Sequence, residues 1–291
     1  MDESLPTRRT SRRARRRVGR DRLTSFLLGA AASLVAAILI WILFDLLRFG
    51  FSRLSWSFLV EAPKDTGRSG GVGPMIVSTL WILAVCLVTA LPVGLGAALF
   101  LSELASGGSA RRVRQSLDAL AAVPSIVFGL FGNALFCHVL GLGYSILSGG
   151  LTLACMVLPL IVRTTEAGLS TVPTEIRQGA AALALSRVTT LRTLILPVAA
   201  PALLVGLILG IGRALAETAA LIFTSGYVDR FPTSTYDSGR SLSIHIYDLS
   251  MNVPGGNDTA YASALVLMAI LILTQRLAAF LTTRWIPGAA R

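Results

Sequence analysis

Six long apolar runs, each bounded by polar or Gly/Pro-rich stretches, set the rhythm of this chain, at about 24 to 47, 74 to 102, 117 to 140, 151 to 169, 198 to 224 and 259 to 283. A helix of roughly 18 or more such residues, rising ~1.5 Å per residue, crosses a ~30 Å hydrocarbon layer. The pattern predicts an all-α integral membrane protein with six transmembrane helices. Composition agrees: 54% of the 291 residues are hydrophobic and 14% charged, and the mean hydropathy is +0.71. That is too apolar, and too blocky, for an ordinary soluble domain.

Four regions follow from the pattern. Residues 1 to 23 form a basic arm, 24 to 73 a first helix with an outer loop, 74 to 283 the main membrane domain with a polar inner loop at 170 to 197, and 284 to 291 a tail. The presumed outer segments are rich in Gly, Pro, Ser and Asp, as surface loops are. Within the last of them, SLSIHIYDL alternates enough to form a short strand or an amphipathic helix at the interface.

The net charge is +11, but nine of the 26 basic residues crowd into the first 23 positions. Such a flank orients a first helix and suits anionic headgroups, so it does not call for nucleic acid. With both termini inside, Lys and Arg number 18 on the inner side and 6 on the outer, with Arg163 and Arg213 left within helices. This bias predicts cytoplasmic termini. The first run is too long for a signal-peptide core and lacks a small-residue cleavage site, so it reads as a retained helix.

Cys86, Cys137 and Cys155 lie in apolar runs without paired spacing, as small buried hydrophobes do, and suggest neither a disulfide nor a metal site. His138 falls at a helix end and His245 in an outer loop, and no carboxylate cluster joins them into a catalytic or metal constellation. Lys64 is the sole lysine, in an outer loop, and no G-x-x-x-x-G-K-[ST] string occurs. The chain therefore cannot supply a P-loop, and any ATP hydrolysis belongs to a partner.

Helix breakers sit inside two runs: Pro92, Gly94 and Gly96, then Pro124, Gly129 and Gly132. Membrane helices tolerate them where neighbours cover the freed backbone, either for close packing or as kinks that open a pathway. Four ionisable residues are harder to accommodate. Arg163 and Glu166 are spaced i, i+3 near the inner end of the fourth run, and Arg213 and Glu217 i, i+4 on one face of the fifth. Arg213 lies about 22 Å along a helix from Val198, well inside the membrane by this reading. A charge there costs ~2.5 to 3.5 kcal/mol on insertion scales, so these groups should face the bundle interior or a water-filled cavity. Either they form ion pairs that pin helices, or they line a polar pathway in which Arg neutralises an oxyanion through forked N–H donors while Glu sets selectivity or releases the Arg. Two arginines favour an anion.

The polar island between the fourth and fifth runs carries a resemblance. QGAAALALSRVTTLRTLILP resembles the EAA motif of binding-protein-dependent ABC importer permeases, whose pattern is E-A-A, three residues, Gly, then Leu-Pro ending thirteen positions after that Gly. Gln178, Gly179 and Ala180 occupy the E-A-A positions, Ala184 the glycine position, and Leu196 with Pro197 the terminal pair. Gln replaces the acid, although Glu175 stands one helical turn earlier. Ala replaces the turn glycine, which raises the cost of a left-handed backbone there by ~1 to 2 kcal/mol. GGVGPMIVSTLWIL, ALPVGLGAALFLSE, LAAVPSIVFGLFG, LPLIVRTTEAGLSTVP and GRALAETAALIFTSG, in this order, resemble the permeases of the phosphate-specific ABC importer over about residues 70 to 280. The ending is similar to the A-type permease more than to its C-type sister.

The resemblance implies a type I, MetI-like permease in the plasma (inner) membrane of a prokaryote, non-catalytic and without cofactors of its own. It implies four kinds of partner besides the lipid bilayer: a homologous C-type permease, two ATP-binding cassette subunits that bind the ATP, an external phosphate-binding protein, and phosphate itself. Nucleic acid is not among them. It also places Arg163, Glu166, Arg213 and Glu217 at positions associated with the anion pathway, and Glu175, Gln178, Gly179, Ala180, Ala184, Leu196 and Pro197 at the ATPase-coupling segment. The residues leave two alternatives open: a permease for sulfate, molybdate or phosphonate, and a non-transporting scaffold or sensor of phosphate supply.

Overall fold

The computed structural model describes residues 8–105 and 107–285, so the ends of the expected arm and tail, residues 1–7 and 286–291, lie outside it. The chain divides into two compact units, Met1–Phe49 and Gly50–Arg291. The first is built from one helix, α1 (Arg8–Gly50), whose uninterrupted apolar stretch from Thr24 is long enough to cross a membrane.

The second unit opens with a 3-10 turn, Phe51–Arg53, and the short α2 (Trp56–Val60), where the Ser55 hydroxyl accepts the Phe58 N–H at 3.2 Å and satisfies one orphan donor of the first turn. A two-residue antiparallel ribbon, β1 (Pro63–Lys64) with β2 (Ser69–Gly70), follows. α3 (Gly73–Leu99) begins with Pro74 in its first turn, where the missing N–H costs nothing, and runs on through a π-helical segment, Phe100–Leu104. Next come α4 (Gly107–Ala121) and α5 (Ser125–Gly132), itself prolonged by a π-helical segment, Asn133–Val139. α6 (Ile146–Ser170) starts at a Ser145 cap. α7 (Thr174–Ala182) is a short helix between α6 and α8. α8 (Arg187–Thr190) continues through the π-helical Leu191–Ile195 into α9 (Leu196–Leu215), and α10 (Ala219–Ile222), α11 (Leu242–Met251) and α12 (Asn257–Trp285) complete the chain.

Among the described residues five helices are long and apolar enough to span, and the third expected run falls on a pair bent by 100°. Two of the expected runs are therefore corrected. Residues 117 to 140 are not one helix: α4 stops at Ala121 and α5 starts at Ser125, because Pro124 has no N–H to give and forces the preceding residue out of helical geometry. Residues 198 to 224 are not one helix either. The helix begins earlier, at Arg187, and ends at Leu215, so Leu196 and Pro197 lie inside the span rather than in the 170 to 197 loop. A π-helical turn comes just before Pro197, with the Leu196 N–H on the Leu191 carbonyl.

α6 is the axis of the bundle, packed along α3 on one side and α9 on the other. Ile82, Cys86, Leu153, Val157, Ile161 and Ile211 fill the shared core. The α6–α9 seam depends on two glycines. A Cβ at Gly168 would stand 2.1 Å from the Ala202 Cβ, and one at Gly206 would stand 2.2 Å from the Thr164 Oγ1, so each glycine lets a side chain of the other helix rest directly on its backbone.

Candidate functional site

Three polar constructions interrupt this apolar scaffold. The first joins α6 to α4. Arg163 Nε donates to Asp118 Oδ1 at 3.0 Å and its Nη2 donates to the same oxygen, while Nη1 reaches Glu166 Oε2 at 3.3 Å. The other oxygen of Glu166 accepts Arg114 Nε at 2.6 Å. Arg114 Nη2 and Arg163 Nη2 also donate to the carbonyls of Leu101 and Arg114. The expected Arg163–Glu166 pair exists, but it is half of a four-membered network of balanced charge. Arg114 and Asp118 were missed because they belong to a segment read as part loop, part apolar run. Their i, i+4 spacing was the available signal.

The second construction is the end of α9. Arg213 stands in its last turn rather than deep within a longer helix, since the chain breaks at 216 to 218 before α10. Arg213 Nη2 lies 3.6 Å from Glu217 Oε2, with the arginine side chain 53% exposed and the glutamate 6%. Glu217 Oε1 accepts the Ala220 N–H at 3.3 Å, so the carboxylate also holds the start of α10. Ser243 Oγ donates to the Glu217 carbonyl at 2.6 Å, tying this break to α11. Arg213 Nη2 approaches Met156 Sδ at 3.9 Å. Met156 and Arg163 are seven residues apart on α6, two turns or about 10 Å, and nearly the same face. Both arginines therefore address one face of α6.

The third construction is the elbow that follows α7. α7 ends as the Ala184 N–H bonds the Ala181 carbonyl at 3.0 Å and the Leu185 N–H bonds that of Ala180 at 3.0 Å. Ala184 adopts φ +52°, the left-handed residue of a Schellman end normally given to glycine. Glu175, Gln178 and Gly179 face outward, Ala180 is buried, and Leu183 is 74% exposed. Arg177 anchors the helix from its inner face: Nη2 and Nε bond Glu103 at 2.8 and 3.3 Å, and Nη1 bonds the Val172 carbonyl at 2.6 Å. A cleft of about 290 Å³ opens beside it, lined by Glu103, Arg177, Ala180, Leu185, Arg187 and Leu191. Sequence reasoning counted Arg177 as a loop charge and passed over Glu103.

On the expected outer side, SLSIHIYDL is helical, as α11, with a Ser241 cap. His245 is fully buried there rather than looped out. Its Nδ1 lies 3.5 Å from Arg240 Nη1, and Arg240 pairs with Asp248 at 3.3 Å. Nε2 has no hydrogen-bond partner among the described residues.

A bundle of membrane-length helices with Arg163 on its central helix, Arg213 against that helix, and an anchored short helix at one end is the frame of a polytopic membrane subunit. Residues 90–286 match the family described as the binding-protein-dependent transport system inner membrane component, and the chain belongs to that family. It is 30% identical over 282 residues to the probable ABC transporter permease protein YqgI of Bacillus subtilis, covering 91% of this chain and 94% of that one. It is 31% identical over 282 residues to the phosphate transport system permease protein PstA 1 of Mycobacterium tuberculosis, covering 93% and 91%. A solved bacterial ABC transporter that imports alginate superposes with a TM-score of 0.67 at 15% identity, covering 94% and 99%. The inward-facing methionine transporter MetNI does so with 0.56 at 18%, covering 75% and 97%. The expected MetI-like, all-α fold of an ABC importer permease is thus established.

Proposed function

We propose that this permease subunit imports inorganic phosphate, forming half of a pathway shared with a homologous C-type permease. The placement of Arg213 of α9 against Met156 of α6, about two turns from Arg163 on the same face of α6, carries the reading. Guanidinium forks neutralise and orient tetrahedral oxyanions, and two in succession hold the anion loosely enough at each to let it leave. Similarity to phosphate permeases over most of the chain supports the choice of anion. Glu217, nearly buried and 3.6 Å from Arg213, limits the pull of that arginine on its cargo.

In this account an external phosphate-binding protein delivers the anion and two ATP-binding cassette subunits hydrolyse ATP, while the chain itself stays non-catalytic in the lipid bilayer of the inner membrane with both termini in the cytoplasm. α7 and its Ala184 elbow dock on one ATPase, through Glu175, Gln178, Gly179 and Ala180. Closure of the ATPase dimer moves α7, and the Arg177–Glu103 anchor passes that motion to α3, so that alternating access follows from repacking around α6. The test is ATP-driven uptake of labelled phosphate by proteoliposomes containing the whole complex, challenged with sulfate, molybdate or phosphonate. Phosphate uptake that these anions leave intact is expected. Uptake carried preferentially for one of them would reassign the cargo.

A further inference from the structure

The two carboxylates that neutralise Arg163 are not equivalent. Glu166 is 12% exposed and shared between two guanidinium groups, so it is locked. Asp118 is 63% exposed, and the contacts of its carboxylate are the two donors of Arg163, Nε and Nη2, both on Oδ1. That edge of the guanidinium is one of the two that can engage an oxyanion as a fork. Asp118 therefore occupies the seat an incoming anion would need.

We propose that Asp118 is a stand-in counter-ion: it fills the oxyanion seat of Arg163 while the pathway is empty, gives way to the transported anion, and returns to expel it. This rests on the reading that Arg163 lies on an anion pathway. The four-residue network sums to zero charge, so with Asp118 seated it carries no uncompensated cation. With Asp118 swung into solvent the remainder is +1, and a phosphate monoanion restores the balance. Ion pairs this exposed are weak, which suits a contact that must break in every cycle. Because Asp118 sits on α4 and Arg163 on α6, the exchange also removes one tie between α4 and the central helix and leaves the Arg114–Glu166 pair as the other. Loading of the anion is thereby coupled to a loosening of α4.

The experiment measures equilibrium binding of radiolabelled inorganic phosphate to the solubilised permease–ATPase complex without binding protein, with co-purification reporting assembly. Asp118→Asn, which removes the competing charge, should tighten phosphate binding about tenfold and slow ATP-driven turnover, and Asp118→Glu should restore both. Arg163→Gln should abolish binding in either background. If Arg163→Gln weakens binding but Asp118→Asn leaves affinity unchanged, Asp118 does not compete and the proposal fails while the pathway reading stands. If Arg163→Gln binds phosphate normally, the pathway reading fails and takes the proposal with it. A second measurement needs no variant: hydrogen exchange of residues 107–121 in the intact complex should rise when saturating phosphate is added. No change there also overturns the exchange.

Discussion

Arg177 of α7 and Glu103 at the inner end of the α3 continuation are joined by two N–H···O bonds, of 2.8 and 3.3 Å, across 74 residues of sequence. The pair is largely shielded, with the two side chains 28% and 16% exposed, and Arg177 also holds the Val172 and Leu169 carbonyls. It makes the inner helix an extension of the bundle rather than a tethered loop. Removing one partner of a shielded pair leaves the other charge uncompensated. Glu103→Ala should loosen α7 by about 1 to 3 kcal/mol, seen as faster hydrogen exchange over 174–182 with α6 protection intact, and should cut ATP-driven uptake severalfold. Unaltered exchange would show that the anchor carries no load.

The elbow that ends α7 invites the opposite change. Ala184 holds φ +52°, a conformation that costs an L-residue with a Cβ ~1 to 2 kcal/mol. Ala184→Gly should therefore stabilise the segment by about 1 kcal/mol despite the larger entropy of glycine in the unfolded chain, raising the thermal midpoint or slowing exchange near 180–186. A loss of stability would mean that the left-handed turn is not the resting geometry.

How far the sequence carries is plain from these two sites. The strained alanine was legible, because motif spacing put it where a glycine normally turns the chain. The six apolar runs gave the bundle, and charges inside them marked Arg163, Glu166, Arg213 and Glu217. What stayed hidden was where helices stop and which distant charges meet. Pro124 breaks its run outright, whereas Pro92 sits inside an unbroken α3, and only the packing around each proline separates the two cases. Asp118 and Glu103 find their arginines across 45 and 74 residues, and local spacing, which could flag Asp118 beside Arg114, does not say which distant arginine either carboxylate meets.

The α6–α9 seam offers a packing test. A methyl at Gly206 would meet Thr164 Oγ1 at 2.2 Å, and that hydroxyl is already bonded to the Leu160 carbonyl at 2.8 Å. Gly206→Ala should destabilise by about 1 to 3 kcal/mol, and Thr164→Ala in the same chain should recover much of the loss. Purely additive losses in a thermal-unfolding cycle would contradict the contact.

His245 supplies a pH dependence. Burial, then the neighbouring Arg240 charge, hold its imidazole down to about 4 from an ordinary 6.5, with Asp248 opposing. The folded state therefore keeps the ring neutral while the unfolded chain takes up a proton below about 6.5, so the contribution to stability is complete above that value and falls away between about 6.5 and 4. The shift corresponds to about 3 kcal/mol. Exchange over 242–251 should quicken across that window, and His245→Gln should flatten the response. A profile that is the same in both proteins would assign the pH dependence to other groups.

The central claim is that an anion passes the face of α6 addressed by Arg213 and Arg163. The direct measurement is ATP-dependent uptake of labelled phosphate into proteoliposomes holding the full complex and its binding protein, comparing the intact chain with Arg213→Gln at matched assembly. The expected result is loss of uptake while the ATPase subunits remain bound. Uptake at the full rate would make the Arg213–Glu217 pair a structural pin and move the pathway to the partner permease.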